Sequence, residues 1–304
     1  MHLSMWTSFD RAWDEVVDRA RWAEAHGFYA FWDADHYMPN TGDLTVADGP
    51  GFECWTMLTS VGVAVPNIRL VSMVSPLTVH HPALLARRLM TADHITGGRV
   101  VLGIGAGWQI NEHHAYGWEL PEPKERVDRF EEGIEIISRL FTEDRVSFEG
   151  TNFTIRDAPF QPKPVQSPLP LLVGTGSPRM MRITAKWAQQ WNTWGDPGLV
   201  AEQRERFARA CDAVGRDMST VHTSSQAMVF LVDDDRAAKL RERLTDRRAL
   251  IGGPNEIVEL IGRYAEMGVD ELAIPDFTLG NDAAQRAEGW DRFADQVMSQ
   301  LDGI

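Results

Sequence analysis

The sequence predicts an α/β protein in which residues 1–304 form one domain, a closed (β/α)8 TIM barrel. Eight short runs rich in β-branched and aromatic residues alternate with stretches of helical periodicity, and this alternation is typical of parallel barrels. No Gly/Ser linker, low-complexity run or block of like charge divides the chain into separate domains. Eight units favour a closed barrel, and an open doubly wound sheet is the alternative that the same alternation allows.

The strands are predicted from short apolar or alternating runs bounded by Gly, Pro or Asp. Residues 100–104 are fully apolar, which is typical of a parallel strand buried on both faces. A separate alternating segment at 145–157, centred on Gly-Thr-Asn, predicts a β-hairpin inserted between barrel units. In chain order, the predicted barrel strands are residues 3–6, 28–33, 68–74, 100–104, 171–174, 190–194, 221–232 and 271–274.

The helices are predicted from capping residues and from apolar periodicity. Asp10 suits the N-cap of the first helix and Gly27 its left-handed end, while Pro82 and Gly97 frame a later helix. Apolar side chains recur at helical spacing over 125–141. The predicted helices are residues 10–26, 53–65, 82–97, 125–141, 178–188, 199–214, 236–250 and 254–267.

The amino-acid composition indicates which classes of partner and which cellular location to expect. The chain has 44 acidic and 30 basic residues, a formal net charge of -14, which repels nucleic acids and anionic membrane surfaces. We therefore expect neither as a partner. The N-terminus lacks the pattern of a signal peptide, and Cys54 and Cys211 are too few for a disulfide framework. A cytoplasmic enzyme with two buried thiols is the expectation.

Three glycines at alternate positions follow the fourth predicted strand. Gly103, Gly105 and Gly107 lack a Cβ, so we expect the backbone there to let a flat or anionic ligand lie against it. Active sites of α/β barrels lie at this carboxyl edge. The dinucleotide-binding fingerprint is an alternative, but it requires a helix directly after its glycines, and here a loop is predicted to about Lys124.

The residues that follow the other predicted strands are mostly small, aromatic or amide. Asp35 and His36 form the one evident titratable pair among them, and no nucleophile elbow or Schiff-base lysine is present. A site so poor in acid and base groups obtains its chemistry from a cofactor. Four tryptophans at strand ends suit the walls around a planar ring: Trp6, Trp32, Trp108 and Trp194.

The segment 174–179, Gly-Thr-Gly-Ser-Pro-Arg, leads from the fifth strand into a helix. Free backbone N–H groups, the helix dipole, two hydroxyls and Arg179 together predict a phosphate site. A tight turn that merely needs glycine is the alternative interpretation. The position late in the barrel favours phosphate, because this fold often binds phosphate there.

Histidines in this sequence suggest proton transfer rather than metal binding. His36 lies at a strand's carboxyl end beside Asp35, which suits a proton donor or acceptor, although a single histidine is more often structural. The pairs His80-His81 and His113-His114 do not predict a metal site. Neighbouring residues rarely both reach one ion, and no Cys or carboxylate spacing completes a ligand set.

Taken together, these segments resemble the luciferase-like monooxygenase family, and within it the branch that uses the deazaflavin coenzyme F420. The resemblance extends from Trp13 to about Asp217. The segments that carry it are 32–36 (Trp-Asp-Ala-Asp-His), 81–86, 98–108, 163–166 (Lys-Pro-Val-Gln), 174–179 and 188–192.

The resemblance implies a bacterial luciferase-like barrel with a cis peptide bond at the end of the third strand, which maps to Ser72-Met73 and backs the cofactor ring. It also implies that His36 is the active-site histidine, that Asn111 contacts the ring and that 174–177 binds the cofactor phosphate. Trp108 departs from the family pattern, because the sugar-phosphate dehydrogenases of this branch have a catalytic Glu there. This departure argues against a phosphosugar substrate.

The resulting prediction is an oxidoreductase that transfers a hydride between F420 and a small, uncharged organic substrate, and the resemblance implies a homodimer. One alternative is an FMN-dependent two-component flavin monooxygenase, whose cofactor phosphate the same loop would bind. Another is a non-catalytic flavin- or deazaflavin-binding protein, which would not need the Asp35-His36 pair. The predicted catalytic residues are His36 and Asp35, and the predicted cofactor-binding residues are Ser72, Met73, Gly105, Gly107, Trp108, Asn111, Gly174, Thr175, Gly176, Ser177, Arg179 and Trp194.

Overall fold

Eight parallel strands form a closed ring in the computed structural model, which describes residues 1–301. They are β1 (His2–Trp6), β2 (Ala30–Asp33), β3 (Arg69–Ser72), β4 (Val100–Gly105), β5 (Leu171–Gly174), β6 (Gln190–Trp194), β7 (His222–Gln226) and β8 (Glu271–Pro275). Each strand pairs with its neighbours in chain order, and β1 pairs with β8 in the register His2↔Glu271. The closed ring confirms the predicted (β/α)8 barrel and excludes the open sheet.

Helices surround the barrel. They are α1 (Trp13–Ala25), α2 (Cys54–Ala64), α3 (Pro82–Thr96), α4 (Ile110–Tyr116), α5 (Pro123–Thr142), α6 (Pro178–Trp187), α7 (Pro197–Val214), α8 (Asp234–Arg243), α9 (Pro254–Glu266) and α10 (Ala283–Gln296). Within residues 1–301, none of the helices combines the length and the apolar character needed to cross a bilayer.

The predicted helix ends are confirmed at two glycines and wrong at one aspartate. Gly27 and Gly97 have φ of 76° and 68°, the left-handed conformation that ends a helix. Asp10 is not the N-cap of α1, because that helix begins three residues later, after Ala12, without a side-chain cap. The Asp10 carboxylate instead accepts a hydrogen bond from Arg11 at 3.0 Å.

The predicted hairpin is confirmed and is attached to α5. Its strands, Arg145–Glu149 and Thr154–Pro159, pair antiparallel. The carboxylate of Glu132 on α5 accepts hydrogen bonds from the backbone N–H groups of residues 151–153, at 2.9 to 3.1 Å. One carboxylate thus satisfies three turn donors that would otherwise need water.

Three other predictions are corrected by the structure. The predicted strand over 221–232 divides at Ala227, after which Met228–Leu231 leaves the barrel and pairs in parallel with Ala249–Gly252. That second strand lies where a helix to residue 250 was predicted, since a four-residue apolar run fits either structure. The loop predicted to Lys124 contains α4, and α10 was not predicted.

Apolar side chains fill two layers, one inside the barrel and one between the barrel and the helices. The inner layer includes Ala30, Val71, Val101 and Leu172, each at most 2% exposed. Alternate residues of the same strands point outward and pack under the helices. The interior is therefore a packed core and not a pore.

A buried carboxylate closes the amino-terminal end of the barrel. Glu271, 1% exposed, accepts hydrogen bonds from Ser4 and from the indole of Trp32 at 2.9 Å, and its other oxygen lies 3.0 Å from His222. Trp32 is thus a core residue, and the prediction that it walls the ring site is wrong. With this end filled, the space for a ligand lies at the carboxyl edge.

Candidate active site

A cavity of about 760 Å³ opens at the carboxyl edge of the barrel. All eight βα units contribute to its wall, which is the usual construction of an active site in this fold. The lining residues are Trp6, Ser8, Phe9, Ala34, His36, Asn40, Met73, Val74, Trp108, Gln109, Gly174, Thr175, Gly176, Asn192, Thr193, Trp194, Leu199, Gln203, Gln226, Asp246, Arg248 and Phe277.

His36 lines this cavity, and its imidazole forms a hydrogen bond with Glu112, which does not line the cavity. Its Nδ1 atom is 3.0 Å from Oε1 of Glu112, a side chain that is 1% exposed on α4. The other oxygen of Glu112 accepts the backbone N–H of Tyr37 at 3.1 Å. A carboxylate cannot donate, so it selects the imidazole form that carries hydrogen on Nδ1. Nε2 makes no hydrogen bond within residues 1–301 and is the atom available to a ligand.

Asp35 does not pair with His36, contrary to the prediction. Its Oδ2 lies 2.8 Å from Nε2 of His80, in a fully buried contact outside the cavity. Burial opposes ionisation of Asp35, but the charge and hydrogen bond of His80 outweigh it, and the pKa of Asp35 lies below its ordinary value. The two side chains thus have different partners although the residues are adjacent in sequence.

The neighbouring Asp33 has the opposite electrostatic character. It is fully buried at the end of β2. Within the described residues, its carboxylate accepts one hydrogen bond, from the backbone N–H of Ala34 to Oδ1 at 2.9 Å, and Oδ2 has no partner. Burial raises the pKa of Asp33 well above its ordinary value, and the nearby carboxylate of Asp35 adds to this effect. This carboxyl group lies outside the cavity lining.

Aromatic rings form one side of the cavity. Trp6 contacts Trp194 and Phe277 edge to face, with ring centroids 5.5 and 5.1 Å apart. Trp108 is 55% exposed and meets the imidazole of His36 edge to face at 5.5 Å. Three of the four predicted tryptophans therefore line the cavity, and such walls suit a planar ring.

The turn between β5 and α6 forms another part of the cavity wall. Gly174, Thr175 and Gly176 line the cavity, and Thr175 accepts the backbone N–H of Ser177 at 3.1 Å. A Cβ on Gly176 would lie 3.3 Å from Oε1 of Gln203, an atom that is buried without a partner within residues 1–301. Gly176 has no left-handed φ, so close approach to this wall, rather than backbone conformation, explains the glycine.

Arg179 does not line the cavity. Its guanidinium makes ion pairs with Asp128 at 2.6 Å and Glu131 at 2.8 Å, both on α5. The guanidinium that was predicted to bind phosphate is thus held by ion pairs with α5. An anion at this turn would be bound by backbone N–H groups and by the dipole of α6.

The segment after β3 lies against β4 and contributes two cavity residues. The cis peptide bond is Met73-Val74, not Ser72-Met73. Ser72 is still paired with Asp33 in the sheet, and Met73 donates its N–H to Asp33 at 2.7 Å, so the 72–73 peptide belongs to the strand. Met73 and Val74 line the cavity, whereas the Ser72 hydroxyl donates to the carbonyl of Gly103 at 2.9 Å.

Gly105 at the end of β4, Gly107 after it and Asn111 on α4 lie behind the cavity wall. A Cβ on Gly105 would meet Val74 at 2.6 Å, and one on Gly107, whose φ is +85°, would collide with Thr78. These glycines allow close packing of the neighbouring segments, not the approach of a ligand. Asn111 is fully buried and donates to the carbonyl of Pro39 at 2.8 Å.

Several lining residues were not among the predicted site residues. Gln226 donates to Asn192 at 3.1 Å and keeps its own Oε1 without a partner within residues 1–301. It was missed because the strand over 221–232 was predicted without a break, which hid its carboxyl end. Arg248 was missed because residues 236–250 were predicted to be helical. Gln203 gave no signal, since it lies inside the periodic pattern of α7.

Comparison with known proteins agrees with this geometry. A sequence model described as luciferase-like monooxygenase matches residues 1–242. The F420-dependent hydroxymycolic acid dehydrogenase of Mycobacterium tuberculosis is 27% identical over 270 residues, covering 88% of this chain and 73% of that protein. The F420-dependent glucose-6-phosphate dehydrogenase of Segniliparus rotundus is 32% identical over 294 residues, covering 85% and 86%.

Solved structures agree in fold. An F420-dependent secondary alcohol dehydrogenase in complex with an F420-acetone adduct superposes with a TM-score of 0.82 at 18% identity, over 98% of both chains. A long-chain alkane monooxygenase superposes with a TM-score of 0.77 at 13% identity, over 99% of this chain and 91% of that one. Since the family's sequence model spans most of its length, the chain belongs to the luciferase-like monooxygenase family.

Proposed function

We propose that this enzyme transfers a hydride between coenzyme F420 and a small, uncharged, largely apolar organic substrate, with His36 moving the substrate's proton. F420-linked oxidoreduction is supported by the family and by relatives that are themselves named as F420-dependent dehydrogenases. The observation that carries the chemistry is the His36–Glu112 pair. Within residues 1–301, His36 is the only titratable side chain of the cavity wall apart from Asp246 and Arg248, which are exposed.

The cavity fits a ring cofactor with an anionic chain. Met73 and the tryptophans offer apolar surface to the ring, and the turn 174–177 with the N-terminus of α6 offers backbone donors to a phosphate. Three buried polar atoms lack partners within the described residues and lie on cavity residues: Nε1 of Trp6, Oε1 of Gln203 and Oε1 of Gln226. Bound F420 supplies the hydride chemistry.

His36 is suited to the accompanying proton transfer. An alcohol that loses a hydride from carbon also loses its hydroxyl proton, and a ketone that gains a hydride gains a proton on oxygen. Nε2 of His36 can take or give that proton at the cavity wall. Glu112 keeps the ring oriented and stabilises the imidazolium that forms when Nε2 is protonated, as a buried carboxylate does in other histidine pairs.

The charge of the cavity wall supports an uncharged substrate. Among residues 1–301, no lysine lines the cavity. Arg248 lies at the exposed rim 3.9 Å from Asp246, which partly balances the charge of Arg248. The wall beside His36 is the indole of Trp108. A dianionic sugar phosphate would lose its hydration on entering the cavity. The cavity wall offers little positive charge to compensate for that loss.

A substrate survey with the natural cofactor tests this proposal. Turnover is followed by the absorbance of F420 in both directions, with uncharged secondary alcohols and ketones of increasing size and with glucose-6-phosphate. We expect turnover with the uncharged compounds and none above background with the phosphosugar. Turnover confined to the phosphosugar would contradict the proposed substrate class, and no F420 turnover with any compound would contradict the hydride transfer.

A further inference from the structure

A second cleft, about 240 Å³, lies between the outer faces of α6 and α7. Three arginines line it: Arg182 from α6, and Arg206 and Arg209 from α7. Pro178, at the start of α6, and Ala210, on α7, also line the cleft. Neither the proposed hydride transfer nor the packing of the helices uses these guanidinium groups.

The arginines of this cleft are largely uncompensated. Arg182 and Arg206 make no hydrogen bond or ion pair within residues 1–301, and Arg209 reaches only Glu205, at 3.9 Å and with both side chains exposed. Arginines elsewhere on the surface are differently placed, since Arg179 and Arg247 each contact two carboxylates. In a chain with net charge -14, two unpaired arginines and one weakly paired arginine around one cleft form a local site for anions.

The residues that line the cleft follow cavity residues closely along the chain. Gln203 on α7 lines the cavity beside Gly176, and Arg206 and Arg209 follow it on the same helix. A helix rises 1.5 Å per residue, so they lie about 5 and about 9 Å further along the axis. On the other side, Pro178 directly follows the turn 174–177. An anionic chain that leaves this turn therefore meets the arginines next.

We propose that the arginine cleft binds the oligoglutamyl tail of F420, an inference that rests on the proposed function. The tail extends from the cofactor's phosphodiester and carries one carboxylate per glutamate, so it is an oligocarboxylate by its chemistry. Guanidinium groups match carboxylates in geometry and remain charged at every physiological pH. The cleft thus recognises the length of the tail, whereas the cavity recognises the ring and the phosphate.

Titration with cofactor forms of different tail length tests the assignment. Binding of F420 without glutamates and of F420 with five or more glutamates is read from the intrinsic tryptophan fluorescence of the protein, at low and at high salt. For the wild type we expect about tenfold tighter binding of the long-tailed form at low salt, because three exposed ion pairs contribute modestly each, and a smaller preference at high salt.

The arginines are tested by a triple variant, Arg182→Gln, Arg206→Gln and Arg209→Gln, which keeps good helix formers at exposed positions. We expect it to lose the preference for the long tail while it binds the form without glutamates as the wild type does. Arg156→Gln, which changes an exposed arginine of the hairpin, is the matched control and keeps the preference.

The outcomes separate the two proposals. Equal binding of both forms by the wild type, or a preference that survives in the triple variant, overturns the cleft assignment and leaves the F420 proposal in place. Failure of both forms to bind the wild type overturns the proposed function and the cleft assignment together. Loss of the preference in the Arg156→Gln control would show a general charge effect and would also overturn the assignment.

Discussion

The imidazole of His36 lies 3.0 Å from the carboxylate of Glu112, so the loop after β2 and the helix after β4 meet at one hydrogen bond behind the cavity wall. Glu112 is almost fully buried and also accepts the backbone N–H of Tyr37. The carboxylate therefore orients both the side chain and the backbone of this loop. Glu112, rather than the adjacent Asp35, is therefore the carboxylate that contacts His36.

Replacing His36 tests its role in proton transfer. We expect His36→Ala to lower kcat by roughly 10²- to 10⁴-fold, the usual contribution of a positioned acid or base, and to change the Kd for F420 little. Turnover, cofactor titration and Tm are measured on the same preparation. His114→Ala, which removes an exposed histidine of α4, is the control and keeps its activity. A loss explained wholly by weaker cofactor binding would make His36 a packing residue instead.

Glu112 is a positioning residue, and its conservative replacement has a distinct signature. Glu112→Gln keeps the size of the side chain but can donate as well as accept, so it no longer selects one imidazole tautomer. We expect kcat to fall by at least about tenfold. The Kd for F420 should stay at the wild-type value, because Glu112 does not line the cavity. A fall in kcat that is accompanied by weaker F420 binding or a lower Tm would indicate a structural role only.

The turn between β5 and α6 is tested at Gly176. A side chain there would approach Gln203 and the space for the cofactor phosphate, and the backbone conformation does not require glycine. We expect Gly176→Val to weaken F420 binding by at least about tenfold, or 1.4 kcal/mol, with an unchanged far-UV circular dichroism spectrum. Gly253→Val is the control, because a Cβ at Gly253 meets nothing within 4 Å. Wild-type affinity in the folded Gly176 variant would remove this turn from the site.

The buried Asp33 predicts a specific pH dependence of stability. Burial raises its pKa in the folded state, so folded protein retains this proton to higher pH than unfolded protein does, and the free energy of unfolding falls as pH rises between the two pKa values. Asp33→Asn removes the contribution of this carboxyl group to the pH dependence of stability. Relative to the wild type, we expect the free energy of unfolding of the variant in urea to increase as the pH rises above the ordinary pKa of an aspartate. Asp18→Asn, at a side chain 68% exposed, serves as control, and equal behaviour of both variants would refute the assignment.

The barrel could be predicted from the sequence because its signals are local. Strand runs, Pro at helix starts and Gly at helix ends each lie within a few residues of the element that they mark. The errors have a different origin. The segment Ala249–Gly252 becomes a strand only because Met228–Leu231 lies beside it, and that contact is tertiary. The predicted homodimer stays a prediction.

The candidate site could be predicted in part, for the same physical reason. His36, Trp108 and the turn 174–176 follow strands directly, and they line the cavity. The contact between His36 and Glu112 could not be predicted, since the two residues are 76 positions apart in the sequence. Arg179 illustrates the limit: its sequence position suits a phosphate, but two carboxylates of α5 hold its guanidinium elsewhere.

The central claim, that the cavity is built for a deazaflavin, is tested most directly by equilibrium titration of the purified protein with F420, FMN and NADPH. Intrinsic tryptophan fluorescence reports binding, because Trp6, Trp108 and Trp194 line the cavity. We predict quenching by F420 with a Kd well below that for FMN, and no saturable binding of NADPH. Equal or tighter binding of FMN would contradict the account and would favour a flavin-dependent monooxygenase.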